Sequence, residues 1–161
     1  MAVDGFDFAQ MQKDWEYLKE VYDHPDSQEW KIEKNDKKEG VVVYSRVCSD
    51  EAKSILEFRA DGEVEANVQL CSDVVNDAPS RAQWDTAMED YHVLWRGENG
   101  VYACYNQAKS ILGGVISSRD FVVLNVIKPT EKGVVISAGS STNAKLIDEK
   151  PGVIRGLLIF Q

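Results

Sequence analysis

Apolar residues near the start of the chain recur every three or four positions. This spacing extends from Asp7 to Tyr22 and is typical of an amphipathic helix. Asp7 and Gln10 stand at the spacing of a capping box, and Pro25 closes the segment because the residue before a proline disfavours helical geometry. The pattern predicts a first helix over residues 7–22.

The apolar period changes to two after this helix and later returns to the helical spacing. Alternation predicts three antiparallel strands joined by short turns, over residues 30–34, 41–47 and 55–60. The spacing from Val64 to Val75 predicts a second helix. Pro79 opens a short third helix that is expected to end near Asp85.

The second half of the chain is rich in β-branched and aromatic residues. It forms five segments bounded mostly by Gly, Asn or Pro, at residues 91–96, 101–109, 119–128, 134–140 and 153–160. No crossover helices fit between them, so we expect an antiparallel sheet. With 161 residues and no internal repeat or linker, the chain is expected to form one α+β domain over residues 1–161, with a sheet long enough to curl.

The composition argues against several classes of function. The chain is 43% hydrophobic and 28% charged, and its apolar runs of about five residues are far shorter than the roughly 20 that span a membrane. A net charge of -9 argues against nucleic acid as a partner and against long-range attraction to an anionic membrane. Membrane contact would therefore be local and apolar. The first ten residues carry no secretory signal pattern, and we expect a cytoplasmic location.

Catalytic and metal-binding motifs are not found in the sequence. Cys48, Cys71 and Cys104 are widely spaced and form no CxxC pair, and the sequence indicates no nucleophile or positioned acid with which His24 or His92 would act as a catalytic base. Carboxylates are scattered, and no nucleophile, phosphate-binding or dinucleotide-binding motif occurs. We therefore predict no catalytic residue, no metal and no cofactor.

Two asparagines interrupt otherwise apolar strand faces. By strand alternation each shares a face with apolar neighbours, which gives a candidate ligand-binding set of Tyr102, Cys104, Asn106, Phe121, Val123 and Asn125. An unsatisfied buried amide costs roughly 1–3 kcal/mol. The two asparagines could bond each other or the backbone at a strand bend, or they could form a polar point in an apolar cavity that orients a ligand.

Three short motifs resemble the START (StAR-related lipid transfer) domains of the helix-grip superfamily. They are RAQWD at residues 81–85, ISSRDFVVL at residues 116–124 and GVIRG at residues 152–156. The order of the predicted elements is similar to that family's over nearly the whole chain. The resemblance implies a curved antiparallel sheet that grips a C-terminal helix around a lipid-sized tunnel. It also implies a function in binding or carrying sterols, phospholipids or ceramides.

The resemblance further implies that the domain is incomplete at its C-terminal end. The family domain is longer, and its closing helix would lie beyond Gln161. An uncovered tunnel would expose a large apolar patch and a free sheet edge. The chain is then expected to be a fragment, to form a homodimer in which another copy covers the opening, or to have a reduced cavity.

The resemblance assigns roles to particular residues. In sterol-carrying members a buried acid and an arginine mark the polar end of the tunnel, and those positions fall on Asn106 and Asn125 here. A sterol assignment is therefore not carried over, and the lipid class stays open. The motif residues expected to be structural are Trp84, Asp85, Arg119, Asp120 and Arg155.

Arg119 and Asp120 cannot share one environment, because successive strand residues face opposite sides of a sheet. The resemblance implies that they lock the start of the strand against neighbouring elements. Two solvated charges at a strand end are the alternative.

The loop before this strand lies where the family has a gate. Ile111, Leu112 and Val115 are expected to dip into a membrane interface there, or to pack the end of the hairpin. The leading hypothesis is non-enzymatic binding and intermembrane transfer of a lipid in an apolar cavity. The alternatives are an enzyme of the same superfamily, such as a cyclase or hydrolase, and a regulatory or interaction domain with a vestigial cavity.

Overall fold

Helices and strands follow the periodicities of the sequence closely. The computed structural model describes residues 5–25, 30–50, 53–131, 133–142 and 145–156. Its elements are α1 Phe8–Asp23, β1 Lys31–Asp36, β2 Val41–Asp50, β3 Lys53–Gly62, α2 Val68–Asn76, α3 Ala78–Trp84, β4 Met88–Arg96, β5 Val101–Ala108, β6 Arg119–Pro129, β7 Val135–Ser141 and β8 Ile154–Arg155. The chain falls into two compact units. One is formed by residues 20–66, and the other by the residues before and after this segment. That the chain forms one domain stays a prediction.

The unit of residues 20–66 contains a three-stranded antiparallel sheet in the order β1-β2-β3. Arg46 of β2 stands directly opposite Glu57 of β3 and forms an ion pair with this buried carboxylate. The Arg46 guanidinium also lies 4.5 Å from the centre of the Trp30 ring, a cation–π contact. The three strands predicted for this part of the chain are confirmed.

The other unit contains a sheet in the order β4-β5-β6-β7, in which all neighbouring strands are antiparallel. The prediction of a wholly antiparallel sheet is wrong at β8, where Ile154 and Arg155 run parallel to Arg119 and Asp120. The paired strands are β6 and β8, and the residues between them, which include β7, are numerous enough for the connection that a parallel pairing needs. The rest of the predicted last strand, residues 157–160, lies outside the described residues.

One face of this sheet packs against the first helix. Met11 and Trp15 lie one turn apart on α1 and contact buried side chains of three strands, namely Ala103, Leu124, Val126, Ile136 and Ala138. Fully burying an aliphatic or aromatic side chain contributes about 1.5–3 kcal/mol. The first helix therefore covers one face of β5 and β6, and the opposite face of these strands is not covered by it.

The second helix begins later than its apolar spacing predicts. Asn67 caps α2 by accepting a hydrogen bond from Leu70 N at 2.8 Å, so Val64 lies outside the helix and is largely exposed. Asparagine is among the strongest N-cap residues, and its side chain sets the boundary rather than the valines. Asp77 ends α2 and caps α3 by accepting from Ser80 N at 3.1 Å.

None of the helices in the described ranges has the length and hydrophobicity needed to cross a bilayer. Within the same ranges no α-helix follows α3, so the closing helix implied by the resemblance is not among the described elements.

Gly100 lets the β4–β5 turn approach β6 closely, and its replacement is expected to destabilise the fold. Its φ is +75°, and a Cβ atom at this position would lie 2.1 Å from the Ile127 carbonyl oxygen. Gly100→Ala should lower the free energy of unfolding by more than the roughly 1–2 kcal/mol that a left-handed alanine costs, because the overlap involves backbone. Urea unfolding measures the loss.

The matched control is Gly133→Ala. Gly133 has a φ of +76°, and a Cβ atom added there would have no other atom within 4 Å, so it carries the conformational cost without the overlap. Equal losses for the two variants would contradict the close approach at Gly100.

Candidate ligand-binding cavity

The six residues of the predicted ligand-binding set lie on one face of β5 and β6. The strand register places them in three directly opposed pairs, Tyr102 with Asn125, Cys104 with Val123, and Asn106 with Phe121. Opposed side chains on neighbouring strands point to the same side of a sheet. Their face is the one opposite to the layer that packs on α1.

A cavity of about 170 Å³ lies against this face, with α2 and α3 forming part of its wall. Four members of the predicted set line it, and they are Tyr102, Cys104, Asn106 and Asn125. The other two do not line it: Val123 is fully buried in an apolar cluster with Tyr102 and Cys104, and Phe121 packs against that cluster. The structure thus separates the predicted set into a lining and a supporting layer.

The two asparagines are connected through the thiol between them. Asn125 Nδ2 donates to Cys104 Sγ at 3.2 Å and to the Val123 carbonyl oxygen at 3.2 Å. Cys104 Sγ donates to Asn106 Oδ1 at 3.6 Å. The buried Asn125 amide group therefore has both a backbone partner and a side-chain partner, as a buried amide requires.

Gly139 of β7 leaves the space that Asn125 occupies. A Cβ atom at Gly139 would lie 2.3 Å from Asn125 Oδ1. A larger residue would therefore push the amide out of the cavity wall.

Burial controls the protonation of the groups around the cavity. It raises the pKa of the Cys104 thiol and the pKa values of the Tyr91 and Tyr102 hydroxyls. These groups are therefore neutral near pH 7, and Cys104 is a hydrogen-bonding thiol rather than a thiolate nucleophile.

A charged residue that the sequence reasoning missed also lines the cavity. Arg81 of α3 donates from Nε to Asp85 Oδ2 at 3.1 Å, and its guanidinium lies 5.2 Å from the centre of the Tyr91 ring. Its side chain is 17% exposed. The RAQWD motif contained the signal, because Arg81 and Asp85 stand one helical turn apart and must lie on the same side of α3.

Trp84 and Asp85 of the same motif lie at the junction of the two short helices. The Trp84 indole nitrogen donates to the Val74 carbonyl oxygen at 3.1 Å, and the Asp85 backbone nitrogen donates to the Arg81 carbonyl oxygen at 2.9 Å. Trp84 is half exposed. These bonds tie α3 to α2 and fix the helix turn that carries Arg81.

The start of β6 separates its two charges onto different sides. Arg119 is exposed, whereas Asp120 is 1% exposed and accepts two hydrogen bonds from Arg155, from Nε at 2.7 Å and from Nη2 at 3.1 Å. Tyr105 also donates to Asp120 Oδ2 at 3.0 Å. The Arg155 guanidinium holds the pKa of the Asp120 carboxyl below its usual range. The RDFV and VIRG motifs therefore meet in one ion pair on the face away from the cavity.

The loop between β5 and β6 exposes its apolar side chains. Ile111, Leu112 and Val115 are 54%, 73% and 81% exposed, and Leu112 has a φ of +53°. A left-handed conformation costs a non-glycine residue about 1–2 kcal/mol. The three residues of the predicted gate thus lie together at the surface, with Leu112 in a short 3₁₀ turn and Ile111 and Val115 on either side of it.

Comparison with known proteins relates nearly the whole chain to one family. A family model described as START domain matches residues 15–161. Human StAR-related lipid transfer protein 6 is 27% identical over 131 residues, which are 81% of this chain and 58% of that protein. The chain thus spans less than two thirds of that relative's length.

Two solved structures share the fold. Human StAR-related lipid transfer protein 5 superposes with a TM-score of 0.77 at 24% identity, covering 94% of this chain and 72% of that one. Human STARD10 superposes with a TM-score of 0.72 at 14% identity, covering 96% and 59%. The predicted helix-grip class, with its N-terminal helix and curved antiparallel sheets, is confirmed.

Removal of the Asp120 carboxylate is expected to destabilise the protein strongly. Asp120→Asn leaves Arg155 without its buried partner. Breaking such a pair should lower the free energy of unfolding by about 3 kcal/mol, the lower end of the usual range, because Arg155 is partly exposed to water. Arg119→Gln changes the neighbouring charge at an exposed site and should alter the free energy of unfolding by less than about 0.5 kcal/mol. Urea unfolding compares them.

The same pair gives a pH dependence with a defined sign. Because the folded-state pKa of Asp120 is lowered, its stabilisation is present above the unfolded pKa of about 3.9 and is lost as the pH falls through the folded value. The difference in unfolding free energy between wild type and Asp120→Asn should be full at pH 7 and shrink below about pH 4. A difference that stays constant down to pH 2 would rule out the ion pair as its source.

Proposed function

The chain belongs to the START domain family, and we propose from this that it binds a lipid in the cavity beside Arg81 and transfers it between membranes. The transfer takes place in the cytoplasm and leaves the lipid chemically unchanged. One observation carries the proposal: Asn106 and Asn125 on an otherwise apolar face of β5 and β6, and Arg81 on α3, line the same cavity.

The wall suits the head group of a lipid. Asparagine amides both donate and accept hydrogen bonds, while the guanidinium only donates. A hydroxyl, a carbonyl or a phosphate ester can therefore bind there, so sterols, ceramides and phospholipids each have a matching group. We propose a phospholipid as the preferred ligand, because an arginine recognises a phosphate more strongly than it does a neutral hydroxyl.

The state of Cys104 supports binding rather than catalysis. The raised pKa of its thiol leaves little thiolate to attack an ester. Its sulfur is also already hydrogen-bonded to both Asn106 and Asn125. A carrier needs no such reaction, since shielding the lipid chains from water contributes about 0.8 kcal/mol per CH₂.

The exposed loop with Ile111, Leu112 and Val115 is proposed as the membrane contact. The net charge of -9 disfavours a purely electrostatic approach to an anionic surface, whereas three exposed apolar side chains on one turn can enter the interface locally. Neither nucleic acid nor a permanent protein partner is required.

Replacing Arg81 is expected to weaken phospholipid binding selectively. Native mass spectrometry of freshly purified protein, with extraction and identification of bound lipid, should give an intact phospholipid adduct for wild type. Arg81→Gln should reduce its occupancy about tenfold, since a charge-assisted hydrogen bond contributes about 1.5–3 kcal/mol. Arg119→Gln, an exposed arginine on β6, is the matched control and should keep the adduct.

Two results would count against this function, and a third would count against the proposed lipid class alone. A cleaved or cyclised product in the extract would favour the enzyme, and an unliganded dimer would favour the interaction domain. A sterol or ceramide adduct that is insensitive to Arg81→Gln would overturn the lipid class while leaving the carrier role.

Polar replacement of the exposed loop is expected to slow transfer without unfolding the protein. The double variant Ile111→Ser with Leu112→Ser removes apolar area that would enter the interface, and lipid transfer between vesicles should slow at least fivefold, given about 1.5–3 kcal/mol per buried aliphatic side chain. Ile154→Ser, which removes a half-exposed apolar side chain on β8, serves as the control. Unchanged transfer rates in the double variant would reject the membrane role of the loop.

A further inference from the structure

The cavity described above is too small for an entire lipid. Its volume of about 170 Å³ lies below the roughly 300–1,000 Å³ of typical small-molecule sites. It has room for a head group or a short segment of chain. The rest of a lipid bound there must extend somewhere else.

A larger cavity of about 550 Å³ lies next to it, along α2. Strand residues Val101, Ile127 and Val135 give it an apolar side, whereas Asp73 of α2 and Arg96 of β4 are charged residues in its lining. The apolar side can accommodate a hydrocarbon chain, with the polar and charged residues around it. The two volumes taken together fall within the range of ligand-binding sites.

Two residues line both cavities, namely Asn76 of α2 and Tyr102 of β5. The Tyr102 hydroxyl donates to Asn76 Oδ1 at 3.2 Å, and the Ser137 hydroxyl donates to the same oxygen at 3.3 Å. The Tyr91 hydroxyl donates to the Asn76 main-chain oxygen at 3.3 Å. In the described part of the chain, every hydrogen bond between α2 and the strands ends on Asn76.

We propose that Asn76 and Tyr102 form a partition between the two cavities, and that its opening joins them into one site for a lipid with a long chain. This inference rests on the proposed lipid function. The head group lies beside Arg81 in the smaller cavity, and the chain lies in the larger one. Asn76 thereby sets the length of the ligand that the protein accepts.

The bonds of the partition are suited to opening. Hydroxyl hydrogen bonds are usually about 2.5–3.0 Å long, so the three that end on Asn76 are stretched. No residue of α2 is buried, and its Asn67 cap lies at the opposite end of the helix from Asn76. The helix can therefore move without exposing a buried side chain, together with α3, to which Trp84 ties it. The freed hydroxyls of Tyr102 and Ser137 can bond to oxygen atoms of the ligand.

Cys104 allows the opening to be measured without a ligand. Its sulfur lines the smaller cavity, and the residue is 2% exposed. Asn76→Ala should increase the rate at which N-ethylmaleimide labels Cys104 about ten- to thirtyfold, because the two hydrogen bonds to Oδ1 are lost. Ser137→Ala removes one of them and should give a smaller increase of about three- to fivefold. Mass spectrometry of the Cys104 peptide measures the rates.

Asn67→Ala is the matched control, since it removes the cap at the other end of the same helix. It should destabilise α2, as hydrogen exchange of the α2 amides would show, without a comparable rise in Cys104 labelling. Equal labelling rates in Asn67→Ala and Asn76→Ala would attribute the effect to fraying of the helix and overturn the partition. Unchanged labelling in Asn76→Ala would overturn it as well.

A second measurement separates the partition from the lipid function. Uptake of short-chain and long-chain fluorescent phosphatidylcholine from phosphatidylcholine vesicles should rise in Asn76→Ala for the long chain and change little for the short one. Equal rises for both would reject Asn76 as the determinant of ligand length. Faster Cys104 labelling with no uptake by any variant would retain the partition and reject phosphatidylcholine as the cargo.

Discussion

A polar group buried on an apolar sheet face must keep a hydrogen-bond partner, and this requirement shapes the cavity. The Asn125 amide satisfies this requirement by donating to the Val123 carbonyl oxygen and to the Cys104 sulfur. The Cys104 thiol in turn donates a hydrogen bond to Asn106. An unpaired amide there would cost roughly 1–3 kcal/mol. The bonds therefore fix the side-chain positions, and with them the shape of the wall that a ligand would meet.

The strand that carries Asn125 is held in register from its other face. Asp120 lies one residue before Phe121 and is fixed by Arg155 and Tyr105 on the side away from the cavity. A shift of one residue would turn every side chain of β6 to the opposite face. Asn125 would then enter the apolar layer that packs on α1, and Asp120 would face the cavity. The ion pair of Asp120 and Arg155 thus keeps Asn125 on the cavity side of β6, although the pair itself lies on the other side of the sheet.

The strand faces could be predicted from the sequence because successive strand residues point to opposite sides. An even or odd position in the strand is therefore enough to assign a residue to a face. Tyr102, Cys104 and Asn106 were placed correctly for this reason, and so were their partners on β6. Parity cannot tell which of them meet empty space. Val123 and Phe121 share this face but pack in an apolar cluster with Tyr102 and Cys104 instead of lining the cavity.

Residues on the helices escaped prediction because their positions depend on how a helix packs against the sheet. Asn76 ends the apolar spacing of α2, and Arg81 lies in a short polar helix. The spacing of RAQWD places Arg81 beside Asp85, but neither local pattern indicates contact with strands that follow later in the chain. The start of α2 was misjudged for a local reason, since a cap at Asn67 outweighs the apolar spacing that begins at Val64. The parallel pairing of β8 depends on Arg155 meeting Asp120, which is again a contact between distant residues.

The proposed carrier function requires that a lipid be held firmly and still be released, and the hydrogen bonds of the cavity wall are compatible with both requirements. A wall held by apolar burial would resist opening in proportion to the area exposed, at about 25 cal/mol per Å². The second helix buries no residue, and its bonds to the strands end on Asn76 within the described part of the chain. Each such bond contributes a net 0.5–1.5 kcal/mol or so, whereas each CH₂ of a sheltered chain contributes about 0.8 kcal/mol. A chain of a few methylene groups is thus sufficient to offset the opening of the wall.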